Sequence, residues 1–258
     1  MAVAALLAVA LATWIVTIGR MRGMDAGPGT DLGGLAWFVG VWVTMTAAMM
    51  LPSTAPMVAA VRRAAAGIGG RPAPPAVTAL FVAGYVAAWM AYGLAASAVS
   101  RPPAAPPRGG VAGAGGGRGG GGGPAAAAGL YQLTPLKRAC LRHCRTPLHF
   151  VMHRWRAGRA GAVAMGIEHG AWCVGCCAGL MLVLFAVGVM SLWWMAVVAA
   201  VIFAEKVLPS GERLTVPVAV CLLALGAVIA VAPGRAGISR PQGGAMPMSQ
   251  TAPSGGQR

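Results

Sequence analysis

Residues 171–204 read AWCVGCCAGLMLVLFAVGVMSLWWMAVVAAVIFA and contain no charged side chain. About 20 consecutive apolar residues are enough for an α-helix to cross the hydrocarbon core of a bilayer. This stretch is long enough for two crossings, and it is too apolar to form part of the surface of a water-soluble fold. It therefore predicts two neighbouring transmembrane helices, over residues 170–190 and 192–207.

Three other parts of the chain are equally free of charge, namely residues 1–19, 33–51 and 76–100. The whole chain is 57% hydrophobic and only 10% charged, whereas about a quarter of the residues of a soluble domain are charged. We therefore predict an all-α fold, a polytopic transmembrane helix bundle with roughly six or seven spans, and exclude a soluble domain or a secreted enzyme. The predicted spans are residues 2–19, 33–57 with a break near Pro52, 76–100, a fourth segment ending at 133, 170–190, 192–207 and 216–232.

The fourth segment is unusual, because residues 101–130 are dominated by Gly, Ala and Pro and include Arg108 and Arg118. By itself this composition is typical of a flexible linker. Basic residues in short loops stay on the cytoplasmic side, and the basic stretches 61–71 and 137–159 flank the region. Both stretches lie inside only if an even number of spans separates them, so we expect the Gly-rich segment to cross the membrane.

These expectations give a transmembrane helical domain over residues 1–232, a multi-pass protein of the cell inner (cytoplasmic) membrane with its N-terminus inside. Residues 233–258 are rich in Gly, Pro, Ser and Met, and we predict a disordered tail. The formal charge of +15 comes from basic residues at the ends of apolar segments rather than on a face interleaved with aromatics. The predicted partner is therefore the lipid bilayer and not nucleic acid.

The densest group of candidate ligands lies in residues 166–181, GIEHGAWCVGCCAGLM. On a helix, His169, Cys173, Cys176 and Cys177 are spaced i, i+4, i+7 and i+8, so all four side chains share one side. Thiolate and imidazole ligands suit Cu(I) and Zn(II). The pattern predicts a soft-metal site in which Glu168 orients the His169 ring. The alternative is that the cysteines act as small apolar residues in helix packing.

A second group is formed by methionines in the sequence MTAAMMLPST, residues 45–54, where Met45, Met49 and Met50 precede Pro52. Methionine thioethers are soft ligands that favour Cu(I). Methionine also fills irregular gaps in a helix bundle, and both interpretations stay open.

A third group comprises Cys140, His143 and Cys144, whose i, i+3, i+4 spacing places them on one helical face. The neighbouring basic residues also suit a simple anchor to anionic headgroups. In the predicted topology this group, the methionines, the cysteine stripe and Glu205 all lie at the cytoplasmic side of the membrane. Methionines and an aspartate in the first loop and the tail are lesser candidates for metal capture: Met21, Met24, Asp25, Met246 and Met248.

With these motifs the chain resembles the bacterial predicted metal-binding integral membrane proteins. The resemblance is carried by AMMLPS at 48–53, YQLTPLK at 131–137 with Cys140 and Cys144, HG at 169–170 with Cys173, GCC at 175–177 and EK at 205–206. That family usually has an ordinary hydrophobic span before the YQLTPLK motif, where this chain is rich in glycine. The resemblance implies a multi-span helical protein that binds metal, and it names no reaction.

The leading hypothesis is a membrane protein that binds a soft transition metal, copper as Cu(I) with Zn(II) as the alternative. It would transport the metal, store it or deliver it to a metal-donor or acceptor protein. One rival is a membrane thiol–disulfide oxidoreductase in which Cys173 and Cys176, a C-x-x-C pair, cycle. The other is a structural subunit of a membrane complex. An enzyme is not favoured, because the sequence contains no nucleotide-binding glycine motif and no soluble catalytic constellation.

Overall fold

The computed structural model describes residues 2–21, 35–67, 74–100, 122–187 and 192–231, and every regular element in these ranges is helical. The predicted all-α fold is thereby confirmed. The helices are α1 Ala2–Met21, α2 Leu35–Ala66, α3 Pro75–Ser100, α4 Gly122–Gln132, α5 Pro135–Arg145, α6 Pro147–Arg154, α7 Gly158–Val187, α8 Leu192–Val207 and α9 Thr215–Val231. A short 3₁₀ turn, Gly211–Leu214, precedes α9.

Several of these helices have the length and composition of membrane spans. Within the described ranges, four segments are long and apolar enough to cross a bilayer: Ala36–Ala66, Pro75–Ala98, Gly158–Leu184 and Gly211–Val231. Helix α1 contains a shorter apolar segment, Val3–Gly19, and α8 has 16 residues. This pattern is compatible with the predicted polytopic bundle.

The Gly-rich fourth segment lies mostly outside the described residues. Its described end is α4, which has 11 residues and is therefore about 16 Å long at 1.5 Å per residue. That is about half of the hydrocarbon thickness that a span must cover. The predicted tail, and with it Met246 and Met248, also lies outside the described residues, as do Met24 and Asp25 of the first loop.

The predicted break near Pro52 is wrong, because α2 continues through Pro52 and Pro56. Ser53 and Thr54 each donate a 2.8 Å hydrogen bond from the hydroxyl to a carbonyl three residues earlier. A proline removes one backbone donor, whereas ending the helix in apolar surroundings leaves several backbone groups without partners. Continuing the helix is therefore the less costly solution.

Helix α7 begins at Gly158, well before the predicted start at residue 170. Its first turns pack closely along α3 through small residues. A Cβ on Gly166 would overlap the Phe81 carbonyl oxygen, and a Cβ on Gly84 would overlap the Val163 carbonyl oxygen. Such glycines let two backbones approach each other. The cysteine stripe consequently lies in the middle of α7 and not at its start.

One buried cluster contains predicted site residues from several helices. Tyr85 of α3 and Met195 and Ile202 of α8 also belong to this cluster. The predicted site residues in it are three methionines of α2, one cysteine of α5 and three cysteines of α7: Met45, Met49, Met50, Cys140, Cys173, Cys176 and Cys177. Segments far apart in sequence therefore meet at one level of the bundle.

The close α3–α7 packing predicts that Gly166→Ala destabilises the protein by about 1 to 3 kcal/mol, since the new methyl group would overlap backbone atoms of α3. Gly19→Ala is the matched control, because nothing lies within 4 Å of its added Cβ. A helical Gly→Ala change in open space should be neutral or stabilising by up to about 1 kcal/mol. Thermal unfolding of both variants in detergent checks this, and equal midpoints would contradict the packing argument.

Candidate metal centre

Three thiols of α7 form the centre of the site. The Sγ atoms of Cys173, Cys176 and Cys177 lie within 4.8 Å of one another, and all three side chains are buried. The sulfurs of Cys176 and Cys177 are only 3.2 Å apart. Two sulfurs that each lie about 2.3 Å from a metal are separated by at most about 4.6 Å. The cluster is therefore within a few tenths of an ångström of the dimensions needed to bind one soft metal ion.

A fourth thiol comes from α5. The Sγ atom of Cys144 lies 3.6 Å from that of Cys176. We refer to Cys144, Cys173, Cys176 and Cys177 as the thiol cluster. All four cysteines are free thiols, so the cluster joins two helices through sulfur contacts and not through a disulfide bond.

Polar groups from three other helices surround Cys173. The Lys206 ammonium of α8 donates to Cys173 Sγ at 2.8 Å, and the Tyr85 hydroxyl of α3 lies 3.0 Å from the same sulfur. Lys206 also donates to Ser53 Oγ of α2 at 3.3 Å. Sequence analysis missed this role of Lys206. The available signal was the charged pair Glu205–Lys206 at the end of the apolar run of α8.

The predicted ligand His169 has different surroundings. Its ring lies among three aromatic rings, with centroid distances of 5.9 Å to Phe81, 5.8 Å to Tyr85 and 5.8 Å to Phe150. Its Nδ1 atom is buried and has no hydrogen-bond partner. The structure thus brings Cys144 to the α7 thiols, while His169 lies one helical turn before Cys173 in an aromatic environment.

The remaining candidates lie around the thiol cluster. The thioethers of Met45, Met49 and Met50 belong to buried side chains of the same core. Cys140 is also buried, with its sulfur packed against Gly175 of α7. His143 stacks on Trp172, at 4.1 Å between ring centroids, and its Nδ1 lies 2.9 Å from the Ala139 carbonyl oxygen.

Glu168 contacts basic residues. Its carboxylate pairs with Arg154 at 3.1 Å and with Arg156 at 3.7 Å. Consecutive residues of a helix point in different directions, so Glu168 lies on another side of α7 than His169. These ion pairs give Glu168 a role in joining the end of α6 and the residues just after it to α7, and they give no support to the predicted orientation of the His169 ring.

Glu205 takes part in a buried ion pair. Lys137 Nζ lies 2.6 Å from Glu205 Oε2, and the two side chains are 0% and 1% exposed. Lys137 Nζ also donates to the Cys176 carbonyl oxygen at 2.5 Å, and Gln132 Nε2 donates to Glu205 Oε1 at 3.0 Å. This network joins α5 and α8 to the backbone of the thiol cluster.

The YQLTPLK motif builds this arrangement. The Tyr131 hydroxyl donates to the Gly175 carbonyl oxygen at 2.5 Å. Thr134 is the N-cap of α5, where its hydroxyl accepts a 3.2 Å hydrogen bond from the Lys137 backbone N–H. Pro135 occupies the first turn, which suits a helix start. The motif therefore fixes the start of α5 beside α7, and this places Cys144 next to the three thiols of α7.

Long apolar helices around a buried group of thiols define a helix-bundle protein with a candidate metal site. Residues 39–229 match the family model described as "PpoB2: Copper chaperone", and the chain belongs to this family. No curated protein and no solved structure matches the chain. The matched range includes all the cysteines and all the predicted ligands except the lesser candidates of the first loop and the tail. The family indicates copper handling, in agreement with the predicted metal.

The buried ion pair predicts a large effect of removing one partner. Lys137→Met or Glu205→Gln alone should lower the free energy of unfolding by about 3 to 5 kcal/mol, because the other charge is left buried without its partner. The double variant should recover part of this loss in a thermal-unfolding cycle. Arg142→Met, in the exposed pair with Glu212, is the control and should cost less than about 1 kcal/mol. If the loss of unfolding free energy in the double variant equals the sum of the two single losses, Lys137 and Glu205 do not stabilise each other directly.

Proposed function

We propose that this protein is a membrane-embedded copper chaperone that holds Cu(I) on the thiol cluster and passes it to a partner protein. The observation that carries the proposal is the convergence of four cysteine sulfurs from α5 and α7 next to the Lys206 ammonium. Thiolates are soft ligands that select Cu(I) among the common metals. The family description favours delivery over storage or transport.

Cys173, Cys176 and Cys177 are the proposed main ligands, because they lie together on one rigid helix. Cys144 approaches from α5 and supplies an exchangeable fourth thiol. A surplus of thiols allows copper to move by ligand exchange, in which each new sulfur binds before an old one leaves. The buried thioethers and the other predicted ligands flank this centre: Met45, Met49, Met50, Cys140, His143 and His169.

Lys206 supplies a positive charge beside the proposed copper ligands. Cu(I) bound by two or three thiolates carries net negative charge, and an uncompensated charge in an apolar interior is costly. The Lys206 ammonium lies 2.8 Å from Cys173 Sγ and supplies the compensating positive charge. The Ser53 hydroxyl accepts a hydrogen bond from Lys206, and the Tyr85 hydroxyl contacts Cys173 Sγ.

The location that we propose is the bacterial inner membrane, with several spans. Four described segments have the length and composition of membrane spans. The basic residues of α5, α6 and the start of α7 form a positively charged segment, which by the positive-inside rule lies in the cytoplasm. A partner protein that gives or receives copper would then approach from that side.

A thiol–disulfide oxidoreductase is the second candidate. The distances of 3.2 Å between Cys176 and Cys177 and of 3.6 Å between Cys144 and Cys176 favour it, since thiols this close can exchange disulfides with a partner. This function needs no metal, so metal content separates the two candidates.

The copper proposal predicts near-stoichiometric Cu(I) in protein extracted from membranes with detergent and reconstituted under reducing conditions. Substituting Cys176 and Cys177 together by Ser should abolish this near-stoichiometric, high-affinity binding, since two of the clustered sulfurs are removed. Cys221→Ser is the matched control, because Cys221 is exposed on α9 and should not affect copper content. Elemental analysis is the measurement.

Unchanged copper content in the Cys176/Cys177 variant would contradict the ligand assignment. Absence of copper from the unmodified protein, combined with a reversible gel shift after thiol trapping, would instead support the oxidoreductase.

The charge argument predicts that Lys206→Met weakens Cu(I) binding at least tenfold, which corresponds to about 1.4 kcal/mol. Lys206→Arg keeps the charge and should retain more of the affinity than Lys206→Met. Competition with a chromogenic Cu(I) chelator gives both dissociation constants. Equal affinities for Lys206→Met and the unmodified protein would show that the ammonium does not compensate the bound complex.

A further inference from the structure

Helix α6 carries two histidines and a methionine on its solvent side. His149 and His153 are spaced i, i+4 and are both exposed, and their rings stack with centroids 4.2 Å apart at an angle of 24°. Met152, between them in sequence, is 72% exposed. None of these three residues belongs to the thiol cluster or was singled out by the sequence motifs.

The i, i+4 spacing of the two exposed histidines places both imidazoles on one face of α6, where rotation of the exposed His149 ring brings a nitrogen of each ring to a shared metal ion. Two imidazole nitrogens that each lie about 2 Å from a metal are separated by at most about 4 Å. His153 Nδ1 lies 3.0 Å from the His149 carbonyl oxygen. Because a carbonyl oxygen only accepts, His153 Nδ1 donates this bond, which leaves Nε2 available as a ligand. Such a second hydrogen bond fixes the ring of a metal-binding histidine.

The opposite side of α6 reaches the neighbourhood of the thiols. Phe150 is buried, and its ring packs edge-on against His169 at 5.8 Å. His169 lies one turn before Cys173 on α7 and has a buried Nδ1 atom without a partner. Ion pairs from Arg154 and Arg156 to Glu168 hold the end of α6 against α7. The exposed histidines are thus separated from the buried site by one helix.

We propose that His149, Met152 and His153 form a surface Cu(I) site at which copper is received or released on its way to or from the thiol cluster. The proposal rests on the copper-chaperone function for the identity of the cargo. Two imidazoles and a thioether bind Cu(I) more weakly than several thiolates, which are softer ligands, so copper received at the surface site moves inward to the thiol cluster. His169 lies between the two sites and offers an intermediate ligand.

The test uses the full-length protein in detergent and the Cu(I)–bicinchoninate complex as copper donor, with loss of its colour reporting transfer. His149→Ala with His153→Ala should slow loading at least severalfold and leave the amount of tightly bound copper, which the thiol cluster holds, unchanged. The register control is Leu148→His with His149→Leu, which keeps two histidines but moves one off the shared face of α6. It should be as slow as the double alanine variant, whereas Leu148→Ala should load at the normal rate.

A second measurement uses the Cys176→Ser, Cys177→Ser protein, in which the main site is removed. We expect weak residual Cu(I) binding that disappears when His149→Ala and His153→Ala are added. Unchanged loading rates together with residual binding independent of the histidines would overturn the surface site. Full-affinity copper in the Cys176/Cys177 variant would overturn the proposed function instead, so the two failures are distinguishable.

Discussion

Lys137 and Glu205 form a buried ion pair on which the arrangement of the site depends. Charges this deeply buried are tolerated only when their remaining hydrogen-bonding groups are also satisfied. Here Lys137 donates to the Cys176 carbonyl oxygen and Gln132 donates to Glu205. The pair therefore joins α5, α7 and α8 at the level of the thiol cluster. Because the pair fixes α5 and α8 beside α7, Cys144 contacts Cys176 and Lys206 contacts Cys173.

The close contact between α3 and α7 is the second constraint. Gly84 of α3 and Gly166 of α7 lie where a side chain would overlap backbone atoms of the partner helix. This contact places Tyr85 beside Cys173 and Phe81 beside His169. Two neighbouring turns of α7 consequently have opposite environments. Cys173 contacts hydrogen-bond donors, which suit a negatively charged metal complex, whereas His169 lies among aromatic rings.

Much of the fold follows from local properties of the sequence. Uncharged runs such as residues 171–204 predict long apolar helices, and the described ranges contain them. The sequence-based predictions are wrong about where two helices begin or end. Pro52 lies inside α2, because the apolar surroundings favour a continuous helix over a broken one. Helix α7 starts at Gly158, because its glycine-rich first turns pack against α3, which hydropathy alone does not indicate.

The sequence by itself determined which chemistry the site can offer. The spacing of Cys173, Cys176 and Cys177 places three thiols on one side of a helix, since helical periodicity is a local property. Only the tertiary structure decided the rest: Cys144 joins these thiols, Lys206 contacts Cys173, and Glu205 pairs with Lys137 and Glu168 with arginines. The physical reason is that contacts between helices depend on the rotation and axial shift of each helix. Those are set by side-chain packing and buried charge pairs across the whole bundle, which no short sequence motif encodes.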